Sequence, residues 1–319
     1  MKSKTVILVL SILFLAFSEE ARRVDPSNPF STIPTRELLN RLETAVRAQR
    51  ARIIDEFANR RDAALPTLRE ALSAGTENQK ILVCRLLAAM RDVEAVVSLV
   101  EMTRIPDYKI KAYAVNALGQ IGDRSAAPRL REILLQDNTH IGVTICALEA
   151  VGSLGSTSDV ALIRKFLDNG PAPVRVIAAK ALAMLGNPEV EAVLLQLSQN
   201  AEPFVQKAAV EGLGYLDSDL SRRRLQSILK APSAGWKSYA RIAIERQRIR
   251  ARPTVSDRLE ALLELTNDCN KRVAGWAIEE IADTGTPEAD SILEEVSKGD
   301  GIKATKAERA LKLRGRLVP

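Results

Sequence analysis

From Val174 to Gly186 the chain reads V-R-V-I-A-A-K-A-L-A-M-L-G. Small and apolar residues fall together at helical spacing (Ala178, Ala179, Ala181 and Leu182), and a glycine ends the stretch. The alanines predict that a neighbouring helix approaches closely, with Leu182 and Leu185 filling the space behind them. The same pattern returns along the chain. The last apolar residue of each such helix is Met90, Ile121, Leu154, Leu185, Leu216, Ile249, Ile281 and Leu313, at intervals of 31, 33, 31, 31, 33, 32 and 32. Other columns keep the same ruler. Leu87, Leu118, Val151, Leu182, Leu213 and Ile278 lie three residues before it, and Met102, Ile133, Phe166, Leu197, Ile228 and Leu293 twelve after. A lone amphipathic helix has a period near 3.6 residues and no ~32-residue one, so the chain is a repeat array.

Each unit predicts two helices, A then B. Asn187-Pro188-Glu189 and Thr286-Pro287-Glu288 mark A-helix starts, with a capping side chain followed by proline at the first helical position. Gly122, Gly155 and Gly186 suit left-handed C-caps at B-helix ends. There is no sustained alternation of period two, so no strand competes. The fold class is all-α: a right-handed α-α superhelix, a HEAT/armadillo-like solenoid of about seven to eight two-helix repeats. The unbroken period predicts one elongated body.

The B-helix pattern resembles the HEAT-like repeats of the phycobilisome-lyase type. Val174-Arg175, Ala178-Ala179, Ala181-Leu182 and Leu185-Gly186 carry the resemblance best, followed by Ile110-Lys111, Ala114-Val115, Ala117-Leu118-Gly119 and Ile121-Gly122, then Val205, Ala208-Ala209 and Gly212-Leu213-Gly214. It covers roughly residues 63 to 313 and is specific for the fold, not the activity. Such repeats occur in adaptors, bilin lyases, an iron hydroxylase and DNA-repair proteins. The hydroxylases use repeated His-Glu pairs as metal ligands, and this chain contains none.

The ends follow a different rule. Lys2 and Lys4 precede a largely apolar run from Thr5 to Phe17, and Ala16 and Ser18 are small residues at the −3 and −1 positions of a cut before Glu19. That predicts a signal peptide over 1–18, an exported periplasmic or extracellular protein, and no membrane span after cleavage. The bilin lyases are cytoplasmic in cyanobacteria and plastids, which export contradicts. No Asn-x-Ser/Thr sequon occurs, which favours a bacterial source. Residues 19–34 read as a linker, 35–62 as an N-terminal capping helix (one long helix or two abutting), and 63–319 as the solenoid.

Candidate chemistry is sparse. Cys84, Cys146 and Cys269 lie in non-neighbouring repeats and should be unpaired thiols. The single histidine, His140, sits in an A-to-B turn with nothing near it to build a site. We therefore expect no catalytic residue, no metal, no cofactor and no enzymatic activity. Charge says more. Lys80, Lys111, Arg175, Lys271 and Lys303 recur in B-helix first turns, each after an acid (Glu77, Asp107, Asp168, Asp268, Asp300). The acids should cap the B helices and the cations should pair with acids of adjacent units; the rival reading is a basic stripe along the inner face. The formal net charge is +6, yet Arg222 to Arg252 alone carries +9, with Arg241 and Arg246 in columns that are apolar elsewhere. Arg241, Arg248 and Arg252, with Trp236 and Tyr239, are the predicted partner-binding residues, and the partner is a protein with an acidic surface. The expected function is an exported scaffold that binds protein through its concave face. The alternatives are an enzyme of the bilin-lyase or hydroxylase-related group and a binder of anionic polymers, with nucleic acid disfavoured.

Overall fold

The computed structural model describes residues 28–231 and 235–315; the expected signal peptide and the start of the linker lie outside them. Two N-terminal helices, α1 (Thr35–Thr44) and α2 (Arg47–Asn59), precede eight A/B pairs. The pairs are α3 (Arg61–Ala74) with α4 (Glu77–Ala89), α5 (Val96–Met102) with α6 (Tyr108–Ile121), and α7 (Ala127–Leu135) with α8 (Ile141–Leu154). Next come α9 (Val160–Asn169) with α10 (Ala172–Met184), α11 (Glu191–Leu197) with α12 (Pro203–Leu213), and α13 (Asp219–Lys230) with α14 (Lys237–Arg250). The last are α15 (Val255–Leu265) with α16 (Lys271–Thr284) and α17 (Pro287–Ser297) with α18 (Gly301–Leu313). The described residues are all-helical, as the repeat pattern predicts. The caps fall where the sequence puts them: Asn187 accepts from Glu189 N at 2.9 Å, and Thr286 accepts from Ala289 N at 3.2 Å. Gly122, Gly155 and Gly186 take φ of 80°, 75° and 79°, which strains any residue with a Cβ.

B helices pack side by side. Ala178, Ala179, Ala181 and Leu182 are buried, and a full leucine burial contributes about 1.5–3 kcal/mol. Two glycines let helices approach still closer. A Cβ on Gly119 would lie 2.7 Å from Ala150 Cβ, and one on Gly152 would lie 2.9 Å from Ala181 Cα. A polar ladder joins successive A helices. Arg69 on α3 grips Asp92 at 2.6 Å, Arg131 on α7 grips Asp159 at 2.6 Å, and Arg164 on α9 meets Glu189. These acids sit at or beside the short 3-10 turns that open the next A helix.

The N-terminal cap is two helices, broken at Ala45, which is extended (φ −63°, ψ 140°). Residues at the end of the expected linker are pinned rather than loose. Arg60 donates to the carbonyls of Ile33, Phe30 and Ser31 and pairs at 2.7 Å with Glu56, which is 1 % exposed.

The body is not elongated, because its ends meet. Arg309 on α18 bonds Asp55 on α2 at 2.6 Å, and Arg61 donates to the carbonyls of Leu313 (2.8 Å) and Met90 (3.1 Å). Arg91, just after α4, pairs with Asp283 on α16. The superhelix therefore closes into a ring with B helices on its inner wall. Its apolar core is split. One cluster runs from Leu38 to Ala243, and a second from Ile249 to Leu311.

Candidate functional site: the inner face of the ring

Two adjoining cavities open on the inner wall. The smaller, about 410 Å³, is lined by Lys180, Glu211, Tyr215, Tyr239, Ile242, Arg246, Arg272, Trp276, Glu279 and Lys306. Its aromatic rings are stacked with cations. The Arg246 guanidinium lies 4.6 Å from the Tyr215 ring centre and 5.4 Å from that of Trp276; Arg272 lies 4.6 Å and Lys207 4.9 Å from that of Tyr239. Glu280 holds the set, accepting from Trp276 Nε1 at 2.7 Å and from Arg246 at 3.4 Å. A guanidinium laid on an aromatic face still turns its N–H edge to a carboxylate, as Arg246 does to Glu280.

The larger cavity, about 720 Å³, shares Lys180, Tyr215 and Glu279 with the first and adds Arg91, Asn116, Gln120, Glu149, Ser153 and Asp283. Lys180 on α10 bridges Glu149 on α8 (3.1 Å) and Glu211 on α12 (3.0 Å). Burial pulls its pKa down, but the two carboxylates outweigh burial and hold the ammonium above the ordinary lysine range. It is thus a fixed positive charge between the cavities.

Sequence reasoning missed Glu149, Lys180 and Glu211, although a signal was present: they are spaced 31 and 31 residues apart, one repeat each. It also missed Tyr215 and Trp276, which lie in different repeats.

Of the residues predicted from sequence, the ring brings some to the inner wall and turns others away. Tyr239 lines the smaller cavity. Trp236 packs beside it, ring centres 5.8 Å apart, and donates to Gln206. Arg241 and Arg248 are on the other side of α14, as 100° per residue requires. Both pair with Glu245, at 3.5 and 3.0 Å, and Arg241 also pairs with Asp268 at 2.9 Å. Arg252 lies just beyond the end of α14. The basic block is also less bare than its +9 implies: Asp217, Asp219, Asp268 and Glu280, all outside it, pair with its arginines.

The expected inter-repeat ladder of B-helix cations is corrected. Among the described residues, Lys80, Lys111, Arg175, Lys271 and Lys303 form no ion pair; Arg175 donates to the Leu167 carbonyl, and Lys303 to Asn267. First-turn cations meet helix N-termini, where acids gather to cap, so the inter-repeat pairs are made along the A helices and, deeper in the B helices, by Lys180 and Arg246. Asp107 does cap α6, accepting from Ile110 N at 2.9 Å, but Thr76 and Asn270, not Glu77 and Asp268, cap α4 and α16. His140 caps α8 through Nδ1, which accepts from Gly142 N at 3.1 Å, and stacks on Tyr108. The three cysteines are unpaired: Cys84 is buried, Cys146 lines the larger cavity, and Cys269 is exposed. Burial pushes the Cys84 thiol up to about 12 and that of Cys146 to about 11. No helix among the described residues is long and apolar enough to cross a membrane.

The profile of HEAT repeats matches residues 98–176 and 160–245. Phycocyanobilin lyase subunit alpha of Picosynechococcus is 31% identical over 153 residues, which are 45% of this chain and 53% of the relative. The chain thus spans about half the length of that curated relative. Among solved structures, the complex of CpcE and CpcF of phycocyanin lyase from Nostoc superposes with a TM-score of 0.53 at 19% identity, over 74% of this chain and 95% of that one, a likeness of fold. The expectation that the chain is not an enzyme is overturned by the first of these relatives, a lyase subunit. It rested on the lack of a familiar catalytic constellation in the sequence. The repeat period, the stacked helix pairs and these matches agree: the chain is a HEAT-like repeat protein whose repeats resemble those of the phycobilisome-lyase type.

Proposed function

We propose that this protein is a lyase-type subunit that holds a bilin-like ligand, conjugated and carboxylate-bearing, inside the ring while a second protein docks on it. The observation that carries the reading is the wall of Tyr215, Arg246, Trp276, Arg272 and Tyr239 around the smaller cavity. Rings offer stacking surface to a conjugated system, and the guanidinium edges offer paired donors to carboxylates. The relative's name, a phycocyanobilin lyase subunit, supports the ligand class, and the CpcE–CpcF complex supports a protein partner. Arg248, 69% exposed at its side chain while pairing with Glu245, and the half-buried Arg252 beyond it are the groups of repeat six that would meet an acidic partner surface. Export, with cleavage after Ser18, also belongs to this proposal. It would place the chain away from cytoplasmic phycobilins, so the ligand is defined by its chemistry and phycocyanobilin serves as the probe.

The test is a titration of the full chain with phycocyanobilin, read by absorption and fluorescence. Binding should shift the visible band and raise emission, and Arg246→Ala with Trp276→Ala should weaken both changes at least tenfold while the helical signal stays. A free-bilin spectrum throughout the wild-type titration would refute the ligand reading. For the partner, Arg248→Glu with Arg252→Glu should abolish low-salt capture of a protein that the wild type retains. Capture unchanged at low and high salt would leave repeat six outside the interface.

A further inference from the structure

The split core and the ring's seam lie on opposite sides of the same arm. The first apolar cluster reaches α14 at Ala240 and Ala243, and the second begins at Ile249 on the same helix. Between them stand Glu245, Arg246, Gln247 and Arg248. In every other repeat from the first to the seventh, the residue three before the anchor is apolar; in the sixth it is Arg246. Glu245 and Gln247 are each 7 % exposed, so polar groups are buried where a repeat core would be expected. Gln247 donates to the Leu213 and Leu216 carbonyls, at 3.0 and 2.7 Å, and its own Oε1 has no partner. Polar contacts cross from α14 to α16 and the turn before it: Arg241 to Asp268, Arg246 to Glu280, and Arg246 stacked on Trp276.

At the other end of the arm the seam is also polar. Arg91–Asp283 is 42% and 57% exposed and Arg309–Asp55 is 36% and 38% exposed, and Arg61 adds bonds to two carbonyls. Leu313 is the apolar residue of α18 that packs on the first cluster. Exposed ion pairs hold weakly and are screened by salt, whereas a continuous apolar core does not yield in this way. The arm α15–α18 is thus a small packed body with a soft joint at each end. Both inner cavities draw walls from the two bodies: Glu279 serves both, Asp283 the larger, and Arg272, Trp276 and Lys306 the smaller.

We propose that α14 is a hinge on which the arm α15–α18 swings, opening the ring at its ionic seam and admitting ligand to the interior. The closed ring assembles both cavities and the open one dismantles them, so anything bound across the two bodies favours closure. This inference stands whatever the interior holds, because it concerns the chain without ligand.

Small-angle X-ray scattering of the full chain tests it. Asp55→Arg with Asp283→Arg turns both seam pairs into repulsions, and should increase the radius of gyration at low salt with the helical circular dichroism unchanged. Adding Arg91→Asp and Arg309→Asp restores both pairs with their signs exchanged, and should return the compact profile. The wild type should expand in about 1 M salt, where the screening length falls to ~3 Å. Arg246→Leu, which restores the apolar column, should reduce that expansion. A double variant with the wild-type profile at low and high salt overturns the proposal. Expansion accompanied by loss of helical signal overturns it as well, since that is unfolding of the arm and not a swing. If the double variant cannot be produced folded, a wild-type profile that does not change with salt overturns the hinge on its own.

Discussion

Gly152→Ala on α8 is the sharpest test of how the B helices pack. The new methyl would sit 2.8 Å from Ala181 Cβ and 2.9 Å from Ala181 Cα on α10. Neither atom is the tip of a flexible side chain, so two helices must move apart. Overpacking a tight core costs about 1–3 kcal/mol. Against this stands the helix propensity of alanine over glycine, about 0.8–1 kcal/mol in favour of the variant. The net is a loss of about 0–2 kcal/mol, centred near 1. Gly275→Ala on α16 is the matched control. Its methyl meets only the flexible end of Lys306, whose ammonium can swing away. There the propensity term wins, and the variant should gain up to about 1 kcal/mol. Urea unfolding followed by circular dichroism measures both, with the slope checked so that a midpoint change reads as stability. The two midpoints should move in opposite directions. If both rise, α8 and α10 are not in close contact at Gly152, and the packing argument for the whole inner wall fails.

Lys180→Met leaves Glu149 and Glu211 facing each other across a part-buried gap and should cost about 1–3 kcal/mol, discounted from the fully buried case because Glu149 is 37% exposed. The folded pKa of Lys180 is raised, so its contribution is fully present below the ordinary lysine value of ~10.4 and lost only as pH rises through the higher folded one; the measured loss should be equal between about pH 6 and pH 9. Arg241→Glu should destabilise by about 1–3 kcal/mol, since it faces Glu245 and Asp268, each 9% exposed at the side chain, whereas exposed Arg248→Glu should change the unfolding midpoint far less. Thiol titration should find three thiols in denatured, unreduced protein; in the native state Cys269 should react at once, Cys146 slowly and Cys84 only on unfolding. Intact mass of the exported protein should begin at Glu19, and retention of Met1 would remove the export reading.

The repeat ruler made the B helices, their glycine stops and the buried alanine column legible, because periodic burial writes itself into periodic sequence. Ring closure was not legible. Arg61, Arg91 and Arg309 are ordinary arginines in sequence, and their partners lie 192 to 254 residues away. The inner wall was half legible. Tyr239 stood out beside a charge block, but Tyr215, Arg246 and Trp276 are brought together by the stacking of repeats five to seven, which no local window contains. The charge count of repeat six misled for the same reason, since half of its counter-charges sit in neighbouring repeats.

Closure also fixes arithmetic that an open solenoid escapes. An open array gains or loses a unit at little cost, because each repeat touches only its neighbours. Here eight units must together bring α18 back to α2, so each supplies roughly an eighth of a turn. One unit more would carry Arg309 past Asp55, and one fewer would leave it short. Duplication or deletion of a repeat would each break the circle, so the number of repeats between the two meeting ends is held by the ring's own geometry.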